Sequence, residues 1–189
     1  MPNTDMTANP WLFQRLTQTL DLRVLAQMSR RDDRSLLQEG FSINLNVATI
    51  LSEEFLTFDA NINPTMYEAV LELRIEDIFS DPSGFAFARD FLNERGYHIC
   101  VDGLTLDTFP FADPIRMGVT YGKLNWASEI AGMIGTERGE ELKAMIMMRK
   151  RGRTIMARCD SEAAIRAGQQ LGITLFQGRY VDSLMRERY

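Results

Sequence analysis

Phe41-Ser-Ile-Asn44, Val70-Leu-Glu72, Ile99-Cys-Val-Asp102, Val119-Thr-Tyr-Gly-Lys123, Thr154-Ile-Met-Ala-Arg158 and Thr174-Leu-Phe-Gln177 are six short apolar runs, each closing on a polar residue. Runs of this length and composition read as strands. The second extends over Tyr67–Leu73, with Glu68 and Glu72 interrupting an apolar stretch, and the third over Tyr97–Asp102. The intervals carry helical patterns. Leu12, Leu16, Leu20 and Val24 recur every four residues, with Phe13, Leu22, Leu25 and Met28 filling out the face. That spacing predicts an amphipathic helix, with Asn9 as its N-cap and Pro10 in its first turn. Ala48–Phe58 reads as the helix after the first strand, and Asp81-Pro-Ser-Gly84 opens another that ends at Gly96. Ala127–Arg151 is helical sequence broken between Gly135 and Gly139. Asp160 or Ser161 caps a helix stopped by Gly172.

Strands that alternate with helices this regularly imply parallel pairing through right-handed crossovers, hence an α/β fold, either a barrel or a doubly wound sheet. With 189 residues, 45% of them hydrophobic and 25% charged, the chain is expected to form one domain over 9–189 behind a loose tail at 1–8. A net charge of -5 and a pI near 5.0 argue against a nucleic-acid surface. The basic run Arg149-Lys-Arg-Gly-Arg153 reads as a solvated helix end, where cations are favoured. No stretch reaches the roughly 18 apolar residues of a spanning helix, so no membrane insertion and a cytoplasmic location are expected. Two cysteines, Cys100 and Cys159, are too few for a disulfide framework, and the single His98 excludes His-pair metal motifs and His-dependent nucleophilic catalysis.

In a barrel of parallel strands, the residues at the carboxyl ends of the strands converge on one mouth. Asn44, Glu72 and Asp102 are three oxygen donors on successive strand ends, a set suited to Mg²⁺ or Mn²⁺. Lys123 and Gln177 could hold a phosphate or a metal-bound water. The alternative is that these polar residues cap the strands and bond to neighbouring loops.

Phe41-Ser-Ile-Asn-Leu-Asn46, Leu71-Glu-Leu73, Cys100-Val-Asp102, Gly122-Lys-Leu124, Met156-Ala-Arg-Cys-Asp-Ser161 and Leu171-Gly-Ile-Thr-Leu-Phe-Gln-Gly178 resemble, in order, the motifs of EAL domains, from about Asn9 to Asp182. The resemblance implies a modified triosephosphate-isomerase-type barrel in which carboxylates and an asparagine hold two divalent metals for hydrolysis of cyclic-di-GMP. It places Asn44, Glu72 and Asp102 at metal-ligand positions, and Lys123 and Gln177 at the lysine and late glutamine of the pattern.

The departures from that pattern bear on function. Gly103 stands where the pattern has a second aspartate, and Leu104-Thr105 replaces the Phe-Gly that follows it. Arg158 stands where it has a glutamate. At an effective dielectric near 20, a unit charge about 4 Å away is worth roughly 4 kcal/mol, so a guanidinium there opposes a dication strongly. Arg74-Ile75 replaces the Thr-Glu after Glu72-Leu73, and Glu76 comes one position late. No Glu-Ala-Leu signature precedes the first helix, which leads to the expectation of a barrel incomplete at its N-terminus, in a piece of a longer protein or with the gap filled by a partner.

From these departures the expected role is a degenerate, catalytically inactive EAL-like module of bacterial signalling, with Asn44, Glu72 and Asp102 as vestigial metal positions and Lys123, Arg158 and Gln177 as vestigial catalytic ones. No cofactor is expected, with Mg²⁺ or Mn²⁺ reserved for a vestigial site that still binds. A protein partner or homodimer is the expected association. The alternatives are a receptor that binds cyclic-di-GMP without cutting it, with Arg158 pairing to phosphate, and a residual phosphodiesterase in a longer chain.

Overall fold

Asn9 opens the first helix. Its side chain accepts the Leu12 backbone N–H at 3.2 Å, and α1 runs Pro10–Ser29. The computed structural model describes residues 9–29, 40–62, 68–149 and 152–186. The expected tail at 1–8, the charged stretch from Arg30 to Arg34, the end of the turn at Pro64, and Lys150 and Arg151 of the basic run lie outside the described residues. The chain divides into two compact units, Met1–Ile99 and Cys100–Tyr189.

In the first unit, β1 (Phe41–Asn44) pairs in parallel with β2 (Ala69–Arg74), and Asn44 stands opposite Glu72. The segment expected as one helix is two, α2 (Val47–Ile50) and α3 (Glu53–Asn61). The break comes at Ser52, whose hydroxyl accepts the Phe55 N–H at 3.2 Å and so starts a new helix. A short α4 (Ile75–Ser80) follows β2 without a spacer, and α5 (Pro82–Arg95) starts on the Asp81 cap, which accepts the Gly84 N–H at 2.9 Å. Gly96 ends α5 in the left-handed conformation, φ +86. Phe55, Phe58, Leu71, Leu73 and Leu92 are fully buried, and the Phe55 ring packs 5.7 Å from Phe58 and 5.8 Å from Tyr97.

One expectation is corrected on α1. Leu16, Leu20 and Val24 are 37%, 57% and 40% exposed, while Asp21 and Leu25 of the same helix are buried. Periodicity located a helix but not its inner face, because the inner face carries a hydrogen-bonded carboxylate that a hydrophobic pattern scores as outer.

In the second unit, β3 (His98–Leu104), whose first two residues precede the unit boundary, pairs in parallel with β4 (Tyr121–Asn125). β4 pairs with β5 (Thr154–Ala157), and β5 with the two-residue β6 (Leu175–Phe176). A 3₁₀ turn (Phe109–Phe111) and α6 (Pro114–Met117) link β3 to β4. The long helical stretch divides as its glycines predict, into α7 (Ser128–Met133) and α8 (Glu137–Met148), with Thr136 accepting the Gly139 N–H at 3.3 Å. Helix α9 (Glu162–Gln170) starts at Ser161, whose side chain makes no cap bond, and lies so close to the sheet that a Cβ on Gly168 would come 2.5 Å from the Phe176 ring. A final helix, α10 (Arg179–Arg186), was not expected from the sequence.

Within each unit strand order follows chain order, β1-β2 in the first and β3-β4-β5-β6 in the second. The class is the α/β alternation of a (β/α) barrel, with six strands among the described residues against the eight of a complete barrel. No described helix is long and apolar enough to cross a membrane.

Candidate functional site

In the first unit the candidate residues are Asn44 and Glu72. Asn44 is the last residue of β1 and is exposed; Glu72 lies two residues before the end of β2 and is 6% exposed. Glu72 is therefore not a strand-end residue, as the sequence suggested, but a buried mid-strand carboxylate. The Ser42 hydroxyl donates to its Oε1. A carboxylate in this setting needs such donors, since an unpaired buried charge is costly.

The chain that follows Asn44 is held by two further buried carboxylates that sequence reasoning missed. Asp21 of α1 accepts three hydrogen bonds, from the Asn46 backbone N–H at 2.8 Å, the Asn46 side-chain amide at 2.7 Å and the Thr49 hydroxyl at 2.8 Å. Asp77 of α4 accepts the Val47 N–H, and the Gln14 amide donates to it at 2.8 Å. Charge-assisted bonds of this kind are the strong ones. Their geometry fixes the backbone from Asn46 to Thr49, and with it the end of β1. The one signal available in the sequence was the single acidic residue of an amphipathic helix, set between Leu20 and Leu22.

Arg74 and Glu76, which stand at the altered positions after Glu72-Leu73, pair with each other at 3.3 Å on the surface, and the Arg74 guanidinium also lies 5.3 Å from the centre of the Phe13 ring.

In the second unit, two more candidates prove not to end their strands. β3 continues past Asp102 through Gly103 to Leu104, with a register irregularity between Val101 and Leu104, and leaves Asp102 half-buried. Gly103 adopts φ +83, a conformation glycine takes freely and an aspartate only at some cost. Lys123 is the middle residue of β4 and is 5% exposed. Gln177 immediately follows β6 and is exposed; its backbone carbonyl accepts the Cys159 N–H at 2.9 Å.

Arg158 is the exception in kind. It immediately follows β5, is exposed, and holds φ +60, the one non-glycine residue with positive φ among the described residues. Strain of this sort concentrates at binding and catalytic sites. Arg158 lines a groove of about 490 Å³ with Thr105, Asp107, Asn125, Trp126, Glu129 and Arg138. Asp102, Lys123 and Gln177 do not line it. Two guanidinium groups and an indole suit an anion attached to a flat ring, by paired hydrogen bonding and stacking, while Asp107 and Glu129 in the same groove balance their charge. Neither Arg138 nor Trp126 was singled out from the sequence.

Beside Arg158, Cys159 is buried, its Sγ lies 3.3 Å from the Met156 carbonyl, and burial pushes its thiol pKa up, which disfavours the thiolate. Asp160 is held below the usual carboxylate range by the hydrogen bond from Arg179, 2.7 Å away on the surface.

Among the described residues there is no group of three or more His, Cys, Asp or Glu side chains that could hold a metal ion. Glu72 is engaged by Ser42, and the position of the pattern's glutamate carries a cation.

No protein-family model and no curated protein sequence matches this chain. Solved structures do. The Vibrio cholerae LapD S helix-GGDEF-EAL protein, in its c-di-GMP-bound form, superposes with a TM-score of 0.64 at 17% identity over 91% of this chain and 44% of its own. The FimX EAL domain gives 0.61 at 15% identity over 95% of this chain and 75% of its own. The Bacillus subtilis YkuI protein, with an EAL domain in complex with substrate c-di-GMP and calcium, gives 0.63 at 17% identity over 89% and 43%. The chain thus spans less than half of the LapD and YkuI chains. By fold it is an EAL-like domain.

Proposed function

We propose that this chain is a regulatory or protein-interaction module of cyclic-di-GMP signalling that does not hydrolyse the dinucleotide. The observation that carries the reading is Arg158, an exposed cation just past the end of β5, held at φ +60 where the EAL pattern has a glutamate. Two-metal hydrolysis needs carboxylates to hold a pair of dications against the attacking and leaving oxygens. Here one carboxylate position is a positive-φ glycine, another is an arginine, and Glu72 is tied to Ser42. Asn44, Asp102, Lys123 and Gln177 are then remnants of a site, without a catalytic role. A protein partner or a second copy is the proposed association, and the cytoplasm the proposed location.

The experiment is turnover of cyclic-di-GMP with Mn²⁺ or Mg²⁺, followed by chromatography of the linear product. The expected outcome is none. Turnover that disappears in Glu72→Ala would sink the proposal. Light scattering across a range of concentrations tests association, and a monomer throughout removes the homodimer.

A second reading is favoured by the groove itself. With Arg138, Arg158 and Trp126 lining it, the second unit can take a nucleotide phosphate without metal. Calorimetry with cyclic-di-GMP decides this: binding that is unchanged by chelator and lost in Arg158→Ala supports a receptor, and no heat at high micromolar ligand ends that reading.

A further inference from the structure

A second cavity in the same unit lies at the other ends of its strands. It has a volume of about 530 Å³ and is bounded by Lys143, Ile146 and Met147 of α8, Thr154 at the start of β5, and Gln170, Gly172 and Ile173 at the approach to β6. The groove beside Arg158 is formed at the carboxyl ends of β3, β4 and β5, whereas this one is formed at the amino ends of β5 and β6.

Its chemistry is amphipathic. Ile146 and Ile173 are buried at 4% and 3% exposure, and Met147, 66% exposed, forms an adaptable thioether rim. Among the described lining residues Lys143 supplies the one formal charge, and none of them is a carboxylate. Thr154 is 3% exposed, and among the described residues its Oγ1 has no hydrogen-bond partner. An orphaned buried hydroxyl is unusual, since folded proteins satisfy nearly all such groups, and it is a donor awaiting an acceptor. Gly152 and Gly172 hold φ +80 and +86, and a Cβ on either would meet nothing within 4 Å, so the margin of the cavity is open on both loops. Small-molecule sites have this form: a largely apolar concavity of a few hundred cubic ångströms with a small number of fixed polar groups.

We propose that this cavity is a binding site for a small aliphatic carboxylate, its carboxylate between Lys143 and the Thr154 hydroxyl and its hydrocarbon chain against Ile146, Met147 and Ile173. The carboxylate supplies the acceptor that Thr154 lacks and the charge that Lys143 lacks. The negative ends of helices α8 and α9 oppose an anion, so the chain's apolar contact must contribute the larger share of affinity, and a head group without a tail should bind poorly.

The probe is octanoate, with acetate, octanol and octylamine as comparators, read by amide chemical shifts and calorimetry on the whole chain. Octanoate should shift Gly152, Thr154, Gly172 and Ile173, and should bind at least tenfold more tightly than the other three. Lys143→Gln should weaken it about tenfold, the effect of losing one charged contact. Thr154→Val is nearly isosteric and should weaken octanoate severalfold while leaving the melting temperature unchanged or higher, because it removes an unsatisfied group. Arg158→Ala should leave octanoate binding intact. Equal shifts with octanol or octylamine, no shifts at high millimolar octanoate, or a Thr154→Val protein that binds normally would each overturn the proposal.

Discussion

The polar residues around the end of β1 and those around the end of β5 are built on opposite principles. In the first unit the charges are acidic, buried and consumed by their neighbours: Asp21 by Asn46 and Thr49, Asp77 by Val47 and Gln14, Glu72 by Ser42. In the second, Arg158 and Arg138 are exposed and line an open groove. The first arrangement stabilises a backbone geometry, and the second keeps its guanidinium groups at the surface beside Asp107 and Glu129.

The comparison breaks first at Asp21. Asp21→Ala would leave the Asn46 N–H, the Asn46 amide and the Thr49 hydroxyl without their acceptor. Hydrogen bonds to a charged group contribute about 1.5–3 kcal/mol each and are not additive when they share an acceptor, so a loss of about 3 kcal/mol is expected. At roughly 2–4 °C per kcal/mol for a chain of this size, the melting temperature should fall by about 9 °C. A fall of only 1–2 °C would mean that the buried acids do not hold this unit together.

Arg149 is the second unit's counterpart to those acids, a charge that is buried rather than presented. Its guanidinium lies 3.6 Å from the centre of the Phe109 ring and donates to the Phe109 carbonyl, while Nη1 has no partner among the described residues. Burial lowers its pKa and the nearby Asp113 opposes that shift. The contact joins the end of α8 to the 3₁₀ turn between β3 and β4. Arg149→Ala should cost about 2 kcal/mol, the scale of a desolvated cation–π contact, measured by urea unfolding. Arg149→Met should cost less, since it keeps the packing and removes the unpartnered nitrogen.

Much of the fold was legible because its signals are local. Asn9, Asp81, Gly96 and the Gly135–Gly139 break each act within a turn or two of their own position, and each marks a boundary where the sequence placed it. What was not legible depends on distant partners. Asp21 reads as a surface residue until Asn46 and Thr49 are seen against it, and the same holds for the outward turn of Leu16, Leu20 and Val24. Helix α4 was missed because it begins directly on the last residue of β2, with no loop to announce it. At the site, the depth of the polar residues was not legible: Glu72 and Lys123 sit inside their strands, and only packing against neighbouring elements determines that.

Tyr97 gives a smaller and pH-dependent test in the first unit. Its hydroxyl donates to Asp59 at 3.2 Å, and Arg95 reaches the same carboxylate at 2.6 Å. Burial, followed by the charge of Asp59 and the hydrogen bond to it, raises the phenol pKa above its ordinary value of 10.0, with Arg95 opposing. The folded protein therefore keeps a proton that the unfolded chain releases above about pH 10. This contribution is complete below that pH and declines as pH rises past it. Tyr97→Phe should cost about 1 kcal/mol at neutral pH and flatten the alkaline loss of stability. An unchanged alkaline slope would assign that loss to other groups.

The smallest expected change in stability has the opposite sign, and it sharpens the comparison most. Arg158 holds φ +60, where a side chain costs roughly 1–2 kcal/mol. Glycine is free of that steric cost but gives up more chain entropy on folding, about 0.5–1 kcal/mol. Arg158→Gly should therefore raise stability by about 0.5–1 kcal/mol in urea unfolding while removing one of the two guanidinium groups from the groove. A variant that is more stable and has lost anion affinity identifies a strained conformation retained for binding. One that is less stable shows that Arg158 supports the fold in the way Asp21 does, and the contrast between the two units would then disappear.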